Sequence, residues 1–142
     1  MHKLTEKARE ILIENGYTAV LCSEDEEYHS RERGVKPLIE FLESGVDFRG
    51  FSAADKTVGL GAAHLYILLG VKSLFARIIS SSARELLQGH GIKVLYESEV
   101  PYIINRQGDG RCPIETAVLK IANSLDALSE IKSTLKRLKE EK

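Results

Sequence analysis

The segment Asp109-Gly110-Arg111-Cys112-Pro113-Ile114-Glu115 carries the sharpest chemical signal in the chain. Proline suits the first position of a helix and glutamate the third, so the order predicts a helix start with Cys112 as its cap. The Cys112 sulfur would then lie over free backbone N–H groups at the positive end of the helix, beside Arg111. Both surroundings favour a thiolate, the form that acts as a nucleophile or as a carrier of sulfur or acyl groups. The plainer alternative is a cysteine that serves only as a small cap or loop residue. No second cysteine stands in a Cys-x-x-Cys arrangement, so a dithiol redox site is not expected.

A second group is Asp55-Lys56-Thr57-Val58-Gly59-Leu60-Gly61. Two glycines at a helix start allow close backbone approach, and free N–H groups there suit an anion. Lys56 would hold a phosphate or carboxylate, and Asp55 would cap the helix or accept a proton. The spacing matches neither a Walker nor a dinucleotide fingerprint. Alternatively the glycines only permit tight helix–sheet packing and Asp55 is only a cap. Ser30, Arg31, Arg33 and Lys36 form a third, basic group before another helix, able to meet an anionic ligand or simply to be a solvated edge. His64 lies among apolar neighbours, His90 in a Gly-His-Gly turn and His29 on a polar strand, with no ligand spacing between them. No metal and no cofactor are expected. A Cys112–His29 or Cys112–His64 dyad would have to be assembled by the fold.

The elements that must position these groups follow from periodicity. Leu4, Ala8, Ile11 and Leu12 put one apolar face on a helix over Leu4–Asn15, closed by Gly16. Tyr17–Ser23 is a strand, and an acidic turn returns it through Tyr28–Arg31, an antiparallel hairpin at a sheet edge. Pro37–Ser44 is a helix with proline at its first position. Phe51–Ala54 then reads as a strand ended by Asp55-Lys56, Thr57–Leu69 as a helix capped by Gly70, and Val71–Ile79 as a second strand. Such a unit places two parallel strands beside each other with the helix across them. Ser81 or Ser82 caps a helix over Ala83–Gln88, Ile92–Tyr96 is a strand, and Val100–Asn105 a short extended piece. A helix from Cys112-Pro113 to about Ser124 is followed by a second helical stretch, Leu125–Lys139. The leucine stripe of that stretch either faces the core or projects onto a second subunit, as in a homodimer or larger oligomer.

The 142 residues suffice for a single domain, residues 1–142 with residues 125–142 as a C-terminal helical extension. A net charge of −1 gives no reason to expect nucleic acid as a partner. No apolar run approaches the roughly 18 residues of a membrane span, and the first residues are polar and helical, unlike a targeting sequence. Two cysteines make no disulfide framework, which points to a reducing cytoplasm. The fold class is α/β, a three-layer α/β/α sandwich around a mixed sheet.

That element order resembles the cytidine-deaminase-like fold. The run DKTVGLGAAHLYILLGVKSLFA has the cadence of the Pro-Cys-x-x-Cys helix of the zinc deaminases, with the cysteine positions falling on Val58 and Gly61. Their His-x-Glu or Cys-x-Glu helix start falls near Val35-Lys36-Pro37. None of these residues ligates zinc, so the resemblance implies the fold without the deaminase metal. The chain as a whole is similar to uncharacterised bacterial proteins of this fold that lack the zinc site, a domain of unknown function. The matching features are Gly34-Val35-Lys36-Pro37, Asp55-Lys56 with Gly59 and Gly61, and Cys112-Pro113-Ile114-Glu115. The resemblance implies that the helix starts near Asp55-Lys56 and near Arg33 and Lys36 line one pocket. Two functions remain open. One is an enzyme or carrier using Cys112 as a reactive thiol, with Asp55 and Lys56 assisting and Gly59, Gly61, Arg33, Lys36 and Arg111 binding a small polar or anionic substrate. The other is a non-catalytic module that binds a nucleoside-like ligand or a protein.

Overall fold

The computed structural model describes residues 3–105 and 107–140. The chain runs α1 (Lys3–Asn15), β1 (Ala19–Cys22), β2 (Glu27–Ser30), α2 (Lys36–Glu43), β3 (Ser52–Val58), α3 (Leu60–Leu69), β4 (Ser73–Ser80), α4 (Ser81–Gly89), β5 (Lys93–Val100), α5 (Pro113–Ala117) and α6 (Ser124–Glu140). The five strands form one sheet in the order β2-β1-β3-β4-β5. β1 is antiparallel to both β2 and β3, whereas β3, β4 and β5 are parallel. The expected mixed sheet between helical layers is therefore present, with the β1–β2 hairpin at one edge and the central βαβ unit in the middle.

The two faces are buried by different means. On one, α1 lays Ala8 and Leu12 over Val20, Cys22, Ala54 and Phe75. A chain of buried hydroxyls ties it down there: Thr5 to Ser73 at 2.6 Å, and Ser73 to Ser52 at 2.7 Å. On the other face α2, α3, α4, α5 and α6 close over Ala53, Val58, Leu74, Ala76 and Ile79. α3 is buried on nearly every side, which its almost uniformly apolar sequence LGAAHLYILL requires. Gly70 ends it in the left-handed conformation (φ 79°), accepted by glycine without strain. α6 turns Ala127, Ile131 and Thr134 into this core, with Leu128 and Leu135 packed at its margin. Its stripe thus lies largely against the domain itself.

Several boundaries differ from the sequence expectation. β3 does not stop at Ala54 but continues to Val58, so Asp55 and Lys56 lie inside a strand and α3 starts at Leu60 rather than at Thr57. Polar residues look like a strand terminus, yet Asp55 is paired with Ala19 and Ala76 in the ladder and buried. β5 runs on to Val100 instead of ending at Tyr96, and the helix starting at Pro113 ends at Ala117, one turn long, before α6 begins at Ser124.

α3 meets α5 with very little clearance. A Cβ on Gly61 would stand 2.5 Å from Ile114 Cγ2, which belongs to a stiff, buried, β-branched side chain. Alanine normally improves a helix interior over glycine by about 0.5–1 kcal/mol. Overpacking typically costs about 1–3 kcal/mol, so the clash wins. Gly61→Ala is expected to lower the free energy of unfolding in urea by about 1 kcal/mol or more; a variant as stable as the parent would mean that Ile114 moves aside freely.

Candidate functional site

The parallel strands β3 and β4 end beside the first turns of α3 and α4, the place where open α/β sheets generally hold their ligands. Here that place is filled by the chain's own Glu115. Its side chain is buried, with 4% of the residue exposed. Oε2 accepts a hydrogen bond from the backbone N–H of Leu60 at 2.8 Å and one from the Ser80 hydroxyl at 2.6 Å. Oε1 accepts from the N–H of Ile103 at 2.6 Å. Leu60 opens α3, so Glu115 occupies one of the orphan donors at that helix terminus. Ser80 in turn caps α4, accepting from Ala83 N at 3.3 Å while it donates to Glu115. The cap of α4 is thus Ser80, not Ser81 or Ser82. One carboxylate joins the starts of α3, α4 and α5 and the segment after β5.

Gly59 and Gly61 belong to this assembly. Gly59 precedes α3 in extended backbone (φ −94°, ψ −178°). A Cβ there would lie 3.0 Å from Ile103 Cγ1 and 3.1 Å from Glu115 Oε2. Both glycines make room for the chain's own side chains, and neither of the two concavities described below is lined by them. Glu115 stands at the third position of α5, where a glutamate commonly bonds back to the cap N–H. Instead the Cys112 N–H donates to Ile103 O at 2.8 Å, and the glutamate reaches across to other elements.

Asp55 and Lys56 are separated by the strand they share, because successive strand residues point to opposite faces. Asp55 is buried beneath α3. Its Oδ2 accepts from the Tyr66 hydroxyl at 2.6 Å and its Oδ1 from Thr57 N at 3.0 Å. Burial pushes its carboxyl up to about 7, against the opposing pull of those hydrogen bonds. Burial, and then the Asp55 charge, also raise Tyr66 well above its usual range. A carboxyl that titrates near neutrality suits acid–base work, but neither of the two concavities described below touches it. Lys56 is exposed, and so are Arg33 and Lys36 before and at the start of α2.

Cys112 is half-buried against the core and its sulfur makes no hydrogen bond within the described residues. α5 spans five residues, too few to sum a sizeable dipole. His29 stacks on Tyr17 with centroids 4.0 Å apart and bonds Glu27, while His64 Nδ1 meets Ser124 Oγ at 2.9 Å. Neither histidine bonds Cys112. Burial lowers the His64 pKa, keeping the ring neutral, and its Nε2 has no partner among the described residues. Beside Cys112, the Arg111 guanidinium lies 4.3 Å from the centre of the Tyr102 ring. These two, with Ser82, Pro101, Thr116 and Leu119, edge a cleft of about 90 Å³ whose floor is Glu115. A second, open concavity of about 470 Å³ lies at the start of β5. Sequence reasoning missed Ser80, Tyr66 and Tyr102, and gave Glu115 only a local role. Among the described residues no group of three or more His, Cys, Asp or Glu side chains converges as metal ligands, and no helix is long and apolar enough to cross a membrane.

Residues 7–135 match the family model described as "TM1506: Domain of unknown function (DUF1893)". Among solved structures the chain is similar to the DUF1893 family protein TM1506 of Thermotoga maritima, with a TM-score of 0.85 and 24% identity, over 94% of this chain and 90% of that one. At that identity the likeness shows the fold alone. No curated protein matches the chain.

Two measurements check the two buried carboxyls. Glu115→Gln keeps the shape but turns an N–H donor toward one of the three donors that now bond to oxygen. An unsatisfied buried group costs about 1–3 kcal/mol, so a loss of about that size or more in urea unfolding is expected, and an unchanged midpoint would mean the three bonds contribute nothing. For Asp55, the folded chain holds the proton to higher pH than the unfolded chain does. Folding therefore takes up a proton between 3.8 and about 7, and stability falls by a few kcal/mol as pH rises through that window. In Asp55→Asn this decline is expected to flatten; an identical decline would assign it to another group.

Proposed function

The chain belongs to the DUF1893 family, and we propose that it acts as a non-catalytic protein-binding module on a deaminase-like scaffold without zinc ligands, rather than as a thiol enzyme. One observation carries this reading: the Glu115 carboxylate occupies the strand-end position that a small ligand would need. Val58 and Gly61, on which the resemblance puts the deaminase cysteine positions, are both enclosed by apolar side chains. The cleft beside Glu115, about 90 Å³, is well below the roughly 300–1,000 Å³ of small-molecule pockets, and the concavity of about 470 Å³ at the start of β5 lies away from it and is open to solvent. A nucleoside does not fit the cleft, but a side chain from a partner does.

The rim of that cleft suits such a partner. Tyr102, Ile104 and Leu119 are 37%, 59% and 47% exposed around Arg111. Exposed apolar residues grouped with tyrosine and arginine are the composition of binding anchors. A partner segment would set an apolar side chain into the cleft and an acidic group against Arg111. The two free cysteines suit a reducing compartment such as the cytoplasm. The thiol reading draws support from the half-exposed position of Cys112 beside Arg111. Among the described residues no histidine or carboxylate bonds the sulfur to serve as a base, and Cys112 lines neither of the two concavities.

Thiol labelling separates the two. In a Cys22→Ala background at neutral pH, Cys112 is expected to react with iodoacetamide no faster than a cysteine in an unstructured peptide, read by intact mass. A panel of nucleosides and nucleotides is expected to leave the melting temperature unchanged. Labelling about tenfold faster than the peptide, or a melting shift abolished by Cys112→Ala, would overturn the binding-module reading in favour of a reactive thiol.

A further inference from the structure

β5 is the outer strand of the sheet, bonded to β4 on one side only. It is eight residues long, without a proline, and pairs with β4 in one register from Lys93 to Val100. α1 covers β1, β3 and the start of β4 rather than β5. Leu95 is consequently 38% exposed, and Tyr96, on the opposite face, is 43% exposed. Long exposed edges with apolar side chains are normally blunted, because they are templates for another strand. Beyond the ladder with β4, no backbone group of residues 94–99 bonds to another part of the described chain.

We propose that this edge is where a second copy of the chain docks, β5 pairing antiparallel with β5 across a two-fold axis at Leu95. The sequence of the strand, Lys93-Val94-Leu95-Tyr96-Glu97, is self-complementary in that register. Leu95 faces Leu95, Val94 faces Tyr96, and Lys93 faces Glu97, each of the last two pairs formed twice. Lys93, Leu95 and Glu97 share the face that α1 leaves open, and residues directly opposite in an antiparallel pair share a face. Two opposite-charge pairs thus flank an apolar centre. The interface is isologous and closes after two copies, so the edge is consumed instead of propagating a fibre.

The backbone agrees with this register. Lys93 directs its N–H inward to Lys72 O at 3.2 Å. Alternation along the strand then turns the N–H and C=O groups of Val94 and Tyr96 outward. Those two residues face each other across the axis, so each pair exchanges two backbone hydrogen bonds. Leu95 falls at the non-hydrogen-bonded position, where opposing side chains approach most closely. The open concavity of about 470 Å³ is lined by Gln88, Gly91, Ile92, Lys93, Val94 and Leu95. It lies where the opposite strand would place Tyr96 of the second copy, next to Val94. On the other face Arg77 reaches Glu97 at 3.1 Å across β4 and β5, and Lys93 of the second copy would join that pair from the far side.

The test is the mass of the full chain in solution, by light scattering after gel filtration and by sedimentation velocity. The wild type is expected to be a dimer at micromolar concentration. Leu95→Arg, at an exposed site that leaves the monomer intact, is expected to be monomeric with an unchanged far-ultraviolet spectrum. Lys93→Glu and Glu97→Lys singly are each expected to weaken the dimer about tenfold or more, because each turns two attractions into two repulsions. The double variant Lys93→Glu/Glu97→Lys is expected to restore it. A monomeric wild type overturns the proposal, as does a dimer that Leu95→Arg leaves intact. Failure of the double variant to recover overturns the register. Because these residues lie outside the Tyr102–Arg111 cleft, these results are separate from the fate of the binding-module reading.

Discussion

The architecture depends on one buried carboxylate. Glu115 receives three hydrogen bonds from three parts of the chain: the first turn of α3, the cap of α4 and the segment after β5. A carboxylate withdrawn from water costs several kcal/mol unless its lone pairs are satisfied. It is tolerable here because the start of α3 presents the Leu60 N–H to it, the cap of α4 the Ser80 hydroxyl, and the connection after β5 the Ile103 N–H. The reverse also holds. The Leu60 N–H at the start of α3, beside Ile103 and Ile114, is buried, and Glu115 supplies its acceptor. Neither side of the arrangement is stable without the other, so the glycines that let them approach become obligatory spacers.

The consequence for function is an inward turn of the polar chemistry. Asp55 is spent on Tyr66, the Thr5–Ser73–Ser52 hydroxyls on holding α1, and His64 on Ser124 at the start of α6. Each is a buried polar contact that fixes one element against another. What the protein offers outward is of another kind: an edge strand whose Val94-Leu95-Tyr96 lie between Lys93 and Glu97, and a corner where Arg111 lies over Tyr102. It is on those features that the proposed contacts with other polypeptides rest.

Much of the frame was legible in the sequence, because local signals and tertiary packing agree there. The β1–β2 hairpin, the βαβ unit, the Gly70 cap and the core-facing stripe of α6 follow from periodicity and turn chemistry. What escaped is what depends on distant partners. Asp55-Lys56 reads as a strand end, since a buried aspartate is unexpected until Tyr66 is known to lie above it. Glu115 reads as a local capping residue, because its three donors lie 55, 35 and 12 positions away. Ser80 was passed over among three consecutive serines, any of which could cap α4 by sequence alone. Cys112 drew attention through its neighbours, yet the dipole expected to activate it shrinks with a helix of a single turn.

Native-state hydrogen exchange at two amides addresses the central claim directly. The Leu60 N–H is at the first turn of a helix and the Ile103 N–H is in a connecting segment, positions that ordinarily exchange through small local openings. If Glu115 is the tie that holds these elements together, both amides exchange only with global unfolding, as slowly as the amides of β3 and β4. Exchange of either at the rate of an exposed loop would contradict the account, leaving Glu115 a spectator and α3, α4 and α5 held by apolar packing alone.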